Sequence, residues 1–211
     1  MVLNSVKGKN GYSVKNSEDL VKKINQLEVP PPFKLVSYDV SALFTSIPVD
    51  YALQVIHKKL SHDDSWKQHS ELTLDQIMEL LELCLNTTYF VYDGVMYRQV
   101  FGAPMGAPIS PGVADLTMED FEEEAMTSAP DHLKPKLWLR YVDDTITKLH
   151  MGFVDDFTNY LNSRNQHIQF TVEPEEDNKL PFLDTCVNLN QDGGLTNTVY
   201  HKKMHTDQYL N

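Results

Sequence analysis

The chain has 211 residues, of which 41% are hydrophobic and 23% charged, with a formal net charge of −12 and a pI near 5.0. That is enough apolar material for one large core and excludes a disordered polyampholyte, leaving only the first dozen residues as a candidate unstructured stretch. The acidic balance opposes a nucleic-acid binder held by overall charge, although the first 34 residues are locally basic, with six lysines against three acids.

Cys84 and Cys186 lie far apart without a CxxC partner. They read as two buried thiols in a reducing compartment rather than as a zinc site or disulfide framework. No apolar run approaches the ~20 residues that span a bilayer, and the first residues lack a signal-peptide core. An intracellular protein, nuclear or cytoplasmic, is expected. The acidic runs Glu119 to Glu124 and Glu173 to Asp177 read as solvated faces.

In chain order, Ser17 is a candidate N-cap for a helix through Leu27, ended by Pro30 to Pro32. Phe33 to Val40, FKLVSYDV, reads as a strand. SALFTSIP follows as a turn, and Pro48 suits the first position of a helix to about Leu60. Thr73 caps a periodic helix, LDQIMELLELCL. Asp93-Gly94 signals a hairpin. FGAPMGAPISPG is a shaped loop before a helix from about Pro111 to Met126. LWLRYVDDTITKL reads as two antiparallel strands with Asp143-Asp144 at the bend, and Phe153 to Asn162 as a helix. Ile168 to Glu173, Leu180 to Leu189 and Thr196 to His201 read as further strands. This order predicts an α+β fold, a ferredoxin-like antiparallel sheet with helices on one face, as in a polymerase palm.

Adjacent acids at a strand bend repel each other, and a divalent cation would make them useful. Polar turns also carry such pairs, and Asp155-Asp156 reads as one. Asp39, at the end of a buried strand, needs a partner. A turn or helix cap is the alternative. If the sheet brings Asp39 beside Asp143 and Asp144, three carboxylates call for cations. Two magnesium ions ~3.5–4 Å apart suit in-line phosphoryl transfer, and oxygen ligands suit Mg²⁺. Gly102 and Gly106 would let backbone approach a substrate, or would serve an ordinary turn.

Asp39, then Phe44, then FGAPMGAPISP, then YVDD resembles the ordered A, B and C motifs of reverse transcriptases. SYDVSALFTSIP, YFVYDGVMYRQVFGAPMGAPISP, LRYVDDT, IQFTVEPEEDNKLPFLD and VYHKKMHTDQYL resemble the Penelope-like retroelement branch. The match runs from about residue 34 to the end. The resemblance implies an RNA-directed DNA polymerase that adds deoxynucleotides to a DNA primer on an RNA template. It implies Asp39, Asp143, Asp144 and the Val40 carbonyl as ligands of two Mg²⁺ ions, with Mn²⁺ as a substitute. It implies Phe44 as an aromatic gate against the 2′-hydroxyl, with core packing as the alternative. Met105 and Gly106 would back the incoming deoxynucleoside triphosphate. Met105 stands where many reverse transcriptases have Gln. Leu180, Pro181, Phe182, Leu183 and Asp184 would support the primer. Lys179 is a candidate general acid or a plain surface lysine.

The implied organisation is a partial fingers or linker segment over 1–32, a palm over 33–200, and the start of a thumb connection over 201–211. Fingers, thumb and a GIY-YIG endonuclease region would then lie in a longer protein, this chain being a fragment. Two rivals stand beside this reading: a catalytically incompetent or repurposed palm acting as a nucleic-acid or protein binding module, and a template-free nucleotidyl cyclase. Arg98 and Arg140 are candidate phosphate contacts or partners of acids. His201 and His205 read as surface residues.

Overall fold

The computed structural model describes residues 2–173, 175, 177–190 and 192–200. The expected thumb connection over 201–211, with His201 and His205, lies outside them. The seven α-helices of the described residues are α1 (Val2–Val6), α2 (Ser17–Ile24), α3 (Leu43–Ser46), α4 (Val49–His62), α5 (Leu74–Asn86), α6 (Ser110–Ser128) and α7 (Val154–Arg164). The strands are β1 (Phe33–Val40), β2 (Tyr89–Tyr92), β3 (Val95–Arg98), β4 (Leu137–Tyr141), β5 (Asp144–His150), β6 (Phe170–Glu173), β7 (Lys179–Phe182), β8 (Thr185–Leu189) and β9 (Leu195–Val199).

The central sheet has the order β4-β5-β1-β6, and each neighbouring pair is antiparallel. With α4 to α6 between β1 and β4, and α7 between β5 and β6, this is the ferredoxin-like α+β arrangement that the sequence predicts. Alternation along β1 divides its side chains between two cores. Val36, Tyr38 and Val40 join a large cluster with Ile56 of α4, Leu116 and Phe121 of α6, and Phe157 of α7. Leu35 joins a smaller cluster with Leu20 and Ile24 of α2, Leu139 of β4, Ile146 of β5, and Leu180 and Phe182 of β7. Helices α4 to α7 therefore pack on one face of the sheet. The other face is closed by α2 and the small β7-β8-β9 sheet.

Local chemistry explains most boundaries. Thr73 and Gln76 form a reciprocal capping box at α5, a device worth about 1 kcal/mol. Asn16 rather than Ser17 caps α2, accepting from the Asp19 amide. Pro48 is the N-cap of α4 rather than its first helical residue, which is Val49. The stretch from Leu180 to Leu189, predicted as one strand, is a hairpin. Leu183 takes a left-handed φ of 54° between β7 and β8. Alternation alone does not reveal a two-residue bend inside an apolar run.

Three other expectations are corrected. Cys84 is exposed, because it lies on the outer face of α5, while Cys186 is buried. The Glu119 to Glu124 run is not a simple solvated face: Glu119 and Glu122 are 1% and 0% exposed. Residues 2–12 are ordered. Lys7 pairs with Asp115, Asn10 donates to Glu122, and Tyr12 and Val14 bond the backbone of Arg140 at the open edge of β4.

Candidate active site

β1 and β5 run antiparallel with Tyr38 opposite Thr145. Continuing that register by one place sets Asp39 beside Asp144. One step further, the Val40 amide donates to the Asp143 carbonyl at 3.2 Å. Asp39 lies four positions on from Leu35, and Asp144 two positions before Ile146. Both reference residues face the smaller core, so Asp39 and Asp144 share that face of the sheet. The far end of β1 and the β4–β5 bend thus meet at one corner. All three carboxylates are partly exposed there.

The electrostatics agree with that placement. The Asp39 carboxyl is raised from its ordinary range, first by burial and then by the charge of Asp143. Like-charge crowding is what a cation would relieve. Among the described residues, however, no three His, Cys, Asp or Glu side chains are gathered tightly enough to hold a metal ion. The backbone brings the acids to one corner, and their side chains do not close into a cage. The donor set of carboxylates plus a strand-end carbonyl fits Mg²⁺ by chemistry. Asp39, Asp143, Asp144 and the Val40 carbonyl are the groups that would hold it.

The bend itself is strained. Tyr141 pairs with Asp144, leaving Val142 and Asp143 as the two turn residues. Val142 has a φ of 57°, a left-handed conformation that costs an L-residue about 1–2 kcal/mol and is rarer still for a β-branched side chain. Its carbonyl accepts from Arg140 Nη1 at 2.9 Å. Arg140 is 1% exposed, so it is no surface phosphate contact. Its Nε donates to Glu122 Oε1 at 2.8 Å, and Nη1 reaches Asp115 Oδ1 at 3.3 Å. Trp138 Nε1 donates to the same Glu122 oxygen at 2.8 Å. Of the two roles the sequence allows Arg140, phosphate contact or partner of acids, the structure has the second. An arginine two residues before the bend, with acids seven positions apart on a helix, was the available signal.

Phe44 lies on α3, half-buried against the large core, just past Ala42 with its left-handed φ of 51°. Its carbonyl accepts from the Ala103 amide at 2.7 Å, which ties α3 to the glycine-rich loop. Gly102 serves that contact. A Cβ there would sit 2.7 Å from the Thr45 backbone, and its φ is 79°. Gly102 therefore permits close approach of two backbone segments of the chain, the structural reading of the two that the sequence offers. Gly106 differs: its φ is 89° and nothing lies within 4 Å of its Cβ position. Met105 beside it is 67% exposed. These two residues leave an open face on the loop.

In the small sheet Leu180 and Phe182 are core side chains, Leu183 packs against the same cluster, and Pro181 and Asp184 are exposed. Only Pro181 and Asp184 thus present a free surface, and the three leucine and phenylalanine side chains hold the hairpin to β1 and α2. Lys179 is exposed.

No protein-family model matches the sequence, and comparison with curated proteins finds no relative. Solved structures do match in fold. A truncated apo telomerase from Candida tropicalis superposes with a TM-score of 0.65 at 15% identity, over 94% of this chain and 43% of that one. Telomerase from Candida albicans, in complex with a fragment of telomeric RNA, gives 0.65 at 13% identity, over 88% and 35%. The RNA-dependent RNA polymerase of a human picobirnavirus gives 0.55 at 15% identity, over 85% and 33%. The chain spans less than half the length of these proteins. Identity this low speaks for the fold alone, and the fold is that of a nucleic-acid polymerase palm, reverse-transcriptase-like in its architecture. No helix among the described residues is long and apolar enough to cross a membrane.

Proposed function

We propose that the chain is the palm of an RNA-directed DNA polymerase of the Penelope-like kind, which transfers a deoxynucleotide to a primer 3′-hydroxyl on an RNA template. The observation that supports it most is the meeting of Asp39 with the Asp143-Asp144 bend on one face of the sheet. Two Mg²⁺ ions, when bound, would supply Lewis-acid stabilisation of phosphate charge and ease ionisation of the primer hydroxyl. The chain's own part is positional. The β1–β5 register fixes the spacing of Asp39 from Asp144. The Asp39 carboxyl is raised first by burial and then by the negative charge of Asp143, and a cation would relieve that second effect. Phe44, half-buried on α3 and tied through its carbonyl to Ala103, would act as a wall that rejects a 2′-hydroxyl. Met105 and Gly106 offer an apolar surface and bare backbone to a base and template. Pro181 and Asp184 form the exposed edge that would meet a primer.

Residues 1–32 would be a partial fingers or linker segment and 33–200 the palm proper. Fingers, thumb and a GIY-YIG endonuclease would belong to a longer protein. The net charge of −12 fits such a division, because the cationic grip on nucleic acid would then come from elsewhere.

A second reading, a palm repurposed as a binding module, is favoured by one observation: the three acids do not form a closed metal cage. Primer extension separates the two. The chain is incubated with an RNA template, a DNA primer and deoxynucleoside triphosphates, with Mg²⁺ or Mn²⁺, beside Asp143→Asn. Metal-dependent extension lost in the variant supports the polymerase. Absence of extension even when the chain is joined to fingers and thumb supports the binding module.

A further inference from the structure

We propose that Arg140 is the positioning residue of the acidic bend: held by Glu122 and Asp115, its guanidinium grips the Val142 carbonyl and so fixes where Asp143 and Asp144 leave the turn. This rests on the reading of those acids as the reacting centre, although the geometric claim stands without it.

Four observations converge. First, Val142 is β-branched yet left-handed, with a φ of 57°, so the turn needs an external restraint to stay there. Second, the Arg140 Nη1–Val142 carbonyl bond of 2.9 Å supplies one from the strand immediately before. Third, the guanidinium cannot swing. Nε and Nη2 fork onto the two oxygens of Glu122 at 2.8 and 3.3 Å, and Nη1 also meets Asp115 at 3.3 Å. A planar fork with that many fixed partners acts as a bracket, which a lysine cannot reproduce.

Fourth, the N-terminal segment closes the bracket from outside. The Arg140 amide donates to the Tyr12 carbonyl and its carbonyl accepts from the Val14 amide, both at 2.8 Å. Lys7 holds Asp115 at 2.9 Å, and Asn10 donates to Glu122 at 3.0 Å. Both acids that clamp the guanidinium are thus themselves held by residues 7–10. The chain from Lys7 to α6, to Arg140, to Val142 is one unbroken set of hydrogen bonds and ion pairs ending at the catalytic turn. Displacing the N-terminal segment would loosen the turn without touching the acids.

Amide hydrogen exchange, followed by NMR on the full 211-residue chain without metal or nucleotide, tests this. Two amides report on the bend: Val40, which donates to Asp143, and Asp144, in the last pair of the β4–β5 ladder. Val36 and Ile146, deeper in the same sheet, report global stability. Arg140→Lys is expected to speed exchange at Val40 and Asp144 by about ten-fold relative to Val36 and Ile146. Should that buried substitution prevent folding, Asp115→Asn and Lys7→Met carry the test. They leave the Arg140–Glu122 fork in place and should give a smaller acceleration confined to the same two amides. Equal acceleration at all four amides would mean Arg140 serves the fold as a whole, and no change would mean the turn holds itself; either overturns the proposal. Failure of the polymerase reading looks different: the turn loosens as expected, while the chain joined to fingers and thumb incorporates no nucleotide.

Discussion

The amide of Val40 and the carbonyl of Asp143, 3.2 Å apart, join two segments separated by more than a hundred residues at the corner where three carboxylates meet. That bond fixes the β1 tip to the β4–β5 bend. It is also why Asp39, one residue earlier, feels the charge of Asp143.

Asp39→Asn should stabilise the metal-free protein at neutral pH. The folded state raises the Asp39 carboxyl above its ordinary value, through burial and Asp143. Any stability tied to the protonated form is present below the unfolded-state pKa, about 3.9, and is lost as pH rises through the folded value. The asparagine does not ionise and escapes that loss. Urea denaturation at pH 7 should show a higher midpoint for the variant, and the advantage should vanish near pH 3.

Asp143→Asn in a protein that includes fingers and thumb should abolish nucleotide incorporation, by about 10³-fold or more, because transition-state charge loses its counter-ion. Circular dichroism should show the fold intact. Retained incorporation would mean the acids are misassigned.

Phe44→Ala should relax sugar selectivity. The ratio of kcat/KM for deoxynucleotides over ribonucleotides should fall by roughly 10- to 200-fold, the range a single steric contact supplies. Since Phe44 also packs on the core, the melting temperature should fall as well. A drop in stability with unchanged selectivity would assign the ring to packing alone.

Gly102→Ala and Gly106→Ala should differ sharply. The first drives a Cβ to 2.7 Å from the Thr45 backbone at a φ of 79° and should cost about 2–4 kcal/mol in urea unfolding. The second meets open space and should cost only about 1 kcal/mol of backbone strain. Equal effects would contradict the docking of the glycine-rich loop on α3.

Glu122→Gln should be severe, because it leaves the Arg140 guanidinium buried with its main counter-charge gone; about 3–5 kcal/mol is expected. Glu124→Gln, which removes an exposed pair with Arg164, should leave the denaturation midpoint nearly unchanged. Chemical denaturation of both variants side by side checks this.

The sheet and its long helices were legible because their signals are local. FKLVSYDV alternates, Thr73 and the leucine spacing announce α5, and LRYVDDT places acids between β-forming runs. The acid corner followed from the same patterns plus the resemblance to reverse transcriptases. What stayed hidden depends on partners distant in sequence. The burial of Glu122 inside an acidic run is decided by Arg140 and Trp138, and that of Glu119 by the Gly8 amide, all from distant segments. The order of residues 2–14 is decided by the open edge of β4. Gly102 stayed open between a substrate contact and a structural turn because its neighbour Thr45 comes from another segment. The Leu183 bend was masked by apolar residues on both sides.

Paramagnetic broadening by Mn²⁺ tests the central claim most directly. Amide resonances of the chain are recorded as Mn²⁺ is added with a deoxynucleoside triphosphate. Selective loss of the Val40, Asp143 and Asp144 signals, reversed by Asp143→Asn, is the predicted result. Broadening that spares this corner, or that persists unchanged in the variant, would contradict it.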